Sequence, residues 1–250
     1  MKLRILYEDD QLVAVDKPPG FHVHRPQFQP NAKTPRNQTS LQILRDQLRQ
    51  EVYPIHRIDR PTSGVVLFAK TKTSHAKIAA LFTQKKIKKT YIAVVRGWTA
   101  SEMIIDRPLK TATGALKPAM TSFITLSRIE LPYPSHIFPT SRFSFIEAHP
   151  TTGRFHQIRR HLKGLGHPIV GDRQRGDGNQ NRLFLENLEI PGLLLKAYRV
   201  EFQNPMTCET LKIHARWSHP WHRVFDLFNL CPWSSPSKIQ LKAKHLSMTQ

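Results

Sequence analysis

Residues 56–69 read His-Arg-Ile-Asp-Arg-Pro-Thr-Ser-Gly-Val-Val-Leu-Phe-Ala, a charged turn set directly against an apolar run. Val65-Val66-Leu67-Phe68-Ala69 has no polar break, and its β-branched start predicts a buried strand. Other short runs predict further strands. Residues 3–7 and 11–16 form a hairpin around Glu8-Asp9-Asp10, broken by Lys17-Pro18-Pro19-Gly20. Strands follow over 90–95, near 121–126 and 142–148, and in a hairpin over 193–215 turning at Asn204-Pro205. Helices interrupt them at unequal intervals. One is capped at Thr39 or Ser40 and runs to about Gln50. A second is capped at Thr73 or Ser74, with Ile78, Leu81 and Phe82 as its apolar stripe. A third covers 155–163 and stops at Gly164 or Gly166, and a last one covers 220–230. Residues 25–38 are polar and Pro-rich and read as an exposed loop. Many strands with unequal helices predict an α+β fold rather than a regular βαβ series.

Charge narrows the function classes. The 250 residues hold 38 Lys and Arg against 18 Asp and Glu, a net charge of +20. Such an excess suits a polyanionic partner, because basic side chains displace the counterions condensed on a phosphate backbone. It is also concentrated. Five Lys or Arg and no acid lie between Thr83 and Ser101, and residues 149–175 hold six Lys or Arg, four His and one acid. Cys208 and Cys231 form no Cys-x-x-Cys pair, so a reducing compartment is the simplest reading. No long apolar run predicts a membrane span, and the N-terminus lacks a leader's pattern. A cytoplasmic monomer is the expectation.

Three segments carry candidate chemistry. In His56–Gly64, Asp59 is flanked by Arg57 and Arg60, and neighbouring positive charge favours the ionised, nucleophilic carboxylate. The same residues also suit a surface ion pair closing a loop. In Lys88–Gly97, Tyr91 alternates with Ala93 and Val95, so its ring faces one side of a strand. That placement suits stacking on a base and equally suits a core tyrosine. In His149–Leu162, a Thr-Thr-Gly turn leads into a helix rich in Arg and His, a combination that suits an anion. His156 and His161 lie about 140° apart around that helix, which makes them poor co-ligands. With no His-Glu-x-x-His pattern or Cys-rich set, no metal is expected.

Together these segments resemble the RluA-type family of RNA pseudouridine synthases over most of residues 3–215. The family's His-Arg-Leu-Asp-x-x-Thr-Ser-Gly stands as His56–Gly64, with Ile58 in place of Leu. Its Lys-x-Tyr-x-Ala-x-Val-x-Gly stands as Lys89–Gly97, and its Thr-Gly-Arg-x-His-Gln-Ile-Arg-x-His-Leu as Thr152–Leu162. The resemblance implies one catalytic domain over 1–232, built on a long, bent, mixed but mostly antiparallel sheet with the cleft across it. A basic tail, 233–250, would follow. The pattern begins at residue 3, which leaves no room for the N-terminal RNA-binding domain many relatives carry.

The resemblance also implies site roles. Asp59 is the catalytic carboxylate, Tyr91 the active-site tyrosine and Arg159 the partner of the aspartate. Arg57 helps displace the target base, and Leu195 is the apolar residue on a later strand. His56, Arg60, Lys88, Lys89, Arg154 and His156 are the further expected RNA contacts. Isomerisation of uridine to pseudouridine conserves composition, so no cofactor is expected. Residues 60–64, 95–98, 171–177 and 181–182 resemble the subgroup acting on position 65 of tRNA. The alternatives are the same chemistry on ribosomal RNA and a basic RNA-binding protein without catalysis.

Overall fold

The computed structural model describes residues 1–25, 39–135 and 137–232. Most of the 25–38 loop and the 233–250 tail therefore lie outside the described residues. The strands are β1 (Arg4–Glu8), β2 (Leu12–Lys17), β3 (Tyr53–Pro54), β4 (Ser63–Ala69), β5 (Lys88–Arg96), β6 (Glu102–Asp106), β7 (Leu109–Lys110), β8 (Leu116–Lys117), β9 (Met120–Leu131), β10 (Ser141–Pro150), β11 (Leu195–Gln203) and β12 (Thr210–His214). The α-helices are α1 (Ser40–Leu48), α2 (Lys72–Thr83), α3 (Gln157–Gly164), α4 (Gly178–Arg182) and α5 (His219–Leu227), and a π-helical turn, Leu183–Asn187, follows α4.

Ten strands form one sheet in the order β1-β2-β4-β11-β5-β10-β9-β6, with β3 added to β4 and β12 to β11. Every pairing is antiparallel except β4 with β11. The fold is therefore α+β, as the pattern of runs predicts, with the mixed, mostly antiparallel sheet that the family resemblance implies.

Alternation along the strands distributes the helices over the two faces. Val13, Val15, Val66 and Phe68 pack with Ile43 and Leu44 of α1. Their neighbours Leu12, Ala14, Val65 and Leu67 pack with Ile78 of α2. On β5, Ile92 and Val94 join Val224 and Phe225 of α5. Ala93 and Val95 instead meet Ile158 and Leu162 of α3, with Tyr91 packed against that cluster. Tyr91 thus faces the α3 side.

Several boundaries differ from expectation for local reasons. Thr71, not Thr73 or Ser74, caps α2: its hydroxyl accepts from the Ser74 amide, and Ser74 reciprocates at the third helical position. α3 starts at Gln157 because His156 takes a left-handed conformation, φ 53°. α1 ends at Leu48 because Arg49 does the same, also at φ 53°. β9 and β10 run longer than predicted, since they pair together along ten positions. The short β7–β8 hairpin and edge strand β6 carry too little apolar pattern to be found in the sequence.

Gly64 sits where β4 and β11 run side by side. Its φ is +120°, and a Cβ there would overlap the Ala197 carbonyl oxygen. Gly64→Ala should therefore cost about 3 kcal/mol or more, combining backbone strain with a steric clash. Urea denaturation beside wild type checks this, and an unchanged midpoint would refute the packing constraint.

Candidate active site

A cleft of about 550 Å³ opens on the α3 side, and its lining includes Asp59, Tyr91, Arg159 and Leu195. Asp59 lies in the loop between β3 and β4, which backbone and side-chain bonds hold at several points. The Ile55 amide donates to Leu67 O, and the Leu67 amide donates to His56 Nε2 at 3.1 Å. The His56 ring also stacks on Phe82. Burial, helped by Lys89, pulls His56 down to about 3. It is a neutral acceptor that holds the loop, although its ring also lines the cleft.

Arg60 works in the same way. Its amide neighbour Asp59 closes a turn with Thr62, while Arg60 O accepts from the Gly20 amide and Arg60 Nε donates to Gly20 O. Lys17 supplies a further tie. Fully buried, its Nζ donates to Pro18 O, Phe21 O and Arg60 O. Burial pulls the Lys17 ammonium down to about 7, against the opposing charges of Asp59 and Asp16. In the sequence Lys17 marked only the end of a strand; its anchoring role needs the loop brought beside it.

The charge that reaches Asp59 comes from α3 rather than from its sequence neighbours. Arg159 Nη1 donates to Asp59 Oδ2 at 3.1 Å. The other side of the guanidinium grips Asp172: Nε donates to Oδ2 at 2.7 Å and Nη2 to Oδ1 at 2.8 Å. Arg159 and Asp172 are almost wholly buried, while the Asp59 side chain keeps 22% exposure. Asp172 Oδ1 also accepts from the Gln174 and Arg175 amides. Burial opposes ionisation of Asp172, yet the Arg159 guanidinium and these amides hold it below the ordinary carboxylate range.

Residues 171–182 hold this clamp in place. The Gly171 amide donates to Asn181 Oδ1, and Asn181 Nδ2 donates to Asp172 O. A Cβ at Gly171 would overlap the Gly192 carbonyl oxygen. The same stretch that carries the subgroup resemblance also supports Arg159.

His156 approaches Asp59 from the same side, with Nε2 3.7 Å from Oδ2. Its Nδ1 accepts from Arg175 Nε at 3.3 Å, which leaves the proton on Nε2, facing the carboxylate. Burial, with Arg159 and Arg175, outweighs Asp59 and pulls His156 down to about 4. Burial and the Asp59 charge push the Tyr91 phenol well above its ordinary value, so it stays neutral. Leu195, at the start of β11, pairs with Ala93 of β5 and adds the apolar wall.

The other expected contacts divide. Lys89 and Arg154 line the cleft, with Lys89 Nζ on Thr152 O and Arg154 Nε on Pro118 O. Burial pulls Lys89 down to about 8. Arg57 is exposed in the cleft lining. Lys88 points elsewhere: it lies 3.5 Å from Glu201 and does not line the cleft. The Thr-Thr-Gly turn is partly self-satisfied, because Gln157 Oε1 takes the Arg154 amide and the Thr152 hydroxyl. Among the described residues, no three His, Cys, Asp or Glu side chains are grouped to hold a metal ion.

The RNA pseudouridylate synthase profile matches residues 11–163. The chain is 39% identical over 239 residues to a protein named tRNA pseudouridine synthase C from Vibrio parahaemolyticus serotype O3:K6 (strain RIMD 2210633), covering 91% of this chain and 96% of that one. It is 40% identical over 244 residues to a protein of the same name from Pasteurella multocida (strain Pm70), covering 93% and 98%. This chain belongs to the RNA pseudouridylate synthase family. The solved structure titled Human RNA Pseudouridylate Synthase Domain Containing 4 shares the fold, with a TM-score of 0.67 at 22% identity over 89% of the synthase and 92% of that chain.

The synthase's buried clamp yields a direct test. Asp172→Ala leaves the Arg159 charge buried without its main partner, which should cost about 3–5 kcal/mol. Because the folded carboxylate is held low, its contribution is present above the ordinary carboxylate value. It is lost as pH falls through the depressed folded value. Urea midpoints of wild type and variant should converge in strong acid and separate at neutral pH; a constant gap would contradict the clamp.

Proposed function

We propose that this synthase converts a uridine of tRNA to pseudouridine, with Asp59 as nucleophile or base. The observation that carries the reading is one carboxylate held by a buried guanidinium in a basic cleft walled by Tyr91 and Leu195. Arg159 and His156 both approach Oδ2 of Asp59. Oδ1 carries neither contact, so it is the oxygen offered to substrate.

The chemistry is balanced within the nucleotide. The N1–C1′ bond breaks, the uracil turns, and a C5–C1′ bond forms; C5 loses a proton and N1 gains one. Attack on the ribose, addition to the ring and proton removal by a glycal route all use the same ionised carboxylate. Arg159 orients it through the hydrogen bond to Oδ2. Neutral Tyr91 packs on the uracil. A base within a stem cannot reach a carboxylate in a cleft, so the uridine leaves its stack. Arg57 is placed to fill the vacated space while Arg154 and Lys89 hold phosphates. The relatives' shared name supports tRNA, and the subgroup segments support position 65. The cytoplasm is the compartment proposed for this reaction, and among the described residues no helix is long and apolar enough to cross a membrane.

Pseudouridine mapping by carbodiimide modification and primer extension tests this on tRNA transcripts and ribosomal RNA fragments. Wild type should give a stop at position 65 of tRNA. Asp59→Ala should give none, while its RNA affinity stays within about tenfold, because it loses chemistry rather than the basic surface. A stop only in ribosomal RNA would reject the tRNA reading, and tight binding without any stop would reject catalysis. Since His156 gains a proton only near pH 4, its protonation should not lower kcat between about pH 5.5 and 8. A rate loss in that window that disappears in His156→Gln would show that the histidine titrates there.

A further inference from the structure

Phe155 is 61% exposed in the lining of the catalytic cleft and belongs to none of the core clusters. A lone exposed phenylalanine is ordinary on a surface, but this ring has a ring partner beside the catalytic carboxylate. It stacks on His156 with centroids 3.7 Å apart and planes inclined by 22°. The His156 ring is fixed in turn by Arg175 at Nδ1, with Asp59 beside Nε2. Arg160 Nη1 reaches both Phe155 O, at 3.5 Å, and Lys110 O, at 2.9 Å. One face of the phenyl ring is therefore covered by imidazole, and the exposed area falls on the rest. Arg154 and Arg160 stand on either side in sequence, suited to the phosphates of the same strand.

We propose that the open face of Phe155 stacks on a nucleobase adjacent to the target uridine. The proposal rests on the cleft's reading as an RNA isomerisation site. The reacting base must reach Asp59, which touches the edge of the imidazole. A base lying on the outer face of Phe155 is two ring layers away from that imidazole, so it belongs to a neighbouring nucleotide. Stacking on an aromatic ring accepts any base, so the contact positions the strand without reading its sequence. Phe155 is thus a positioning residue: it fixes the strand beside the flipped nucleotide and takes no part in bond exchange.

Binding is measured in an Asp59→Ala background, where no turnover occurs, by titrating labelled tRNA. Adding Phe155→Ala or Phe155→Leu should weaken binding by about 5- to 100-fold, whereas Phe155→Trp should not. Leucine keeps apolar bulk without a π-face, so its failure to rescue separates stacking from packing; thermal melting verifies that each variant folds. Abasic substitutions are then scanned across the nucleotides flanking the target. At one of them the loss should overlap with that of Phe155→Ala instead of adding to it. With Asp59 restored, the single-turnover rate at saturating RNA should stay within about threefold of wild type. Unchanged affinity in Phe155→Ala, rescue by leucine, or additivity at every nucleotide would overturn the proposal. If wild type converts uridine while any of these holds, Phe155 alone is misread. If the coupling appears but wild type converts no RNA, the stacking contact stands and the catalytic reading falls.

Discussion

Arg159 holds two carboxylates at once, and the geometry of the cleft follows from that. Its Nε and Nη2 form a fork on buried Asp172, while Nη1 remains for partly exposed Asp59. Burying a guanidinium is expensive unless its donors are matched. Asp172 matches them and is itself fixed by two backbone amides, so the cation is held beside Asp59. Gln174, whose Oε1 accepts from Nη2 at 3.3 Å, takes a further donor. The rigid planar fork makes this arrangement specific to arginine, since a lysine ammonium cannot present parallel donors to one carboxylate and a third to another.

The sheet brings the two carboxylates within reach of that one side chain. Asp59 precedes β4, Arg159 stands on α3, and Asp172 follows it by a short turn. β4 and β11 run parallel at Gly64 and Ala197, which sets the Asp59 loop near Leu195. β5 lies on the other side of β11, and its alternation turns Tyr91 toward α3 and Ile92 toward α5. The cleft walls are consequently strand positions held by ladders of backbone hydrogen bonds. The Asp59 loop is tied to this frame by His56 on Leu67 and by Lys17, whose Nζ joins Arg60 O to the carbonyls of Pro18 and Phe21.

Charge inside the cleft is sorted by burial. Tyr91, His56 and His156 are each driven toward the neutral form, because removal from water penalises the charged state. Arg159 and Asp172 escape this because each satisfies the other. The cleft interior therefore presents one partly exposed carboxylate among neutral rings, while exposed Arg57 and Arg154 supply positive charge at its lining. Such sorting suits a polyanion bound at the rim and an uncharged base inside.

The three segments 56–64, 89–97 and 152–162 were legible in the sequence, and with them Asp59, Tyr91, Arg159 and the α+β class. Periodicity found the long elements because alternation and helical spacing are local properties. It missed Asp172 and Lys17, whose partners lie 13 and 43 residues away. Charge adjacency alone pointed to Arg57 and Arg60 beside Asp59, whereas the family motif pointed to Arg159, which is 100 residues distant and is the one hydrogen-bonded to it. The resemblance implies RNA contacts at His56, Arg60 and Lys88; the structure shows the half-buried His56 ring and the exposed Arg60 side chain each hydrogen-bonded within the loop frame, and Lys88 beside Glu201. The sequence by itself determined which residue types the chemistry has available and which strands and helices carry them. Only the tertiary structure decided which charges are paired, buried or free, because those depend on desolvation and on contacts between segments far apart in the chain.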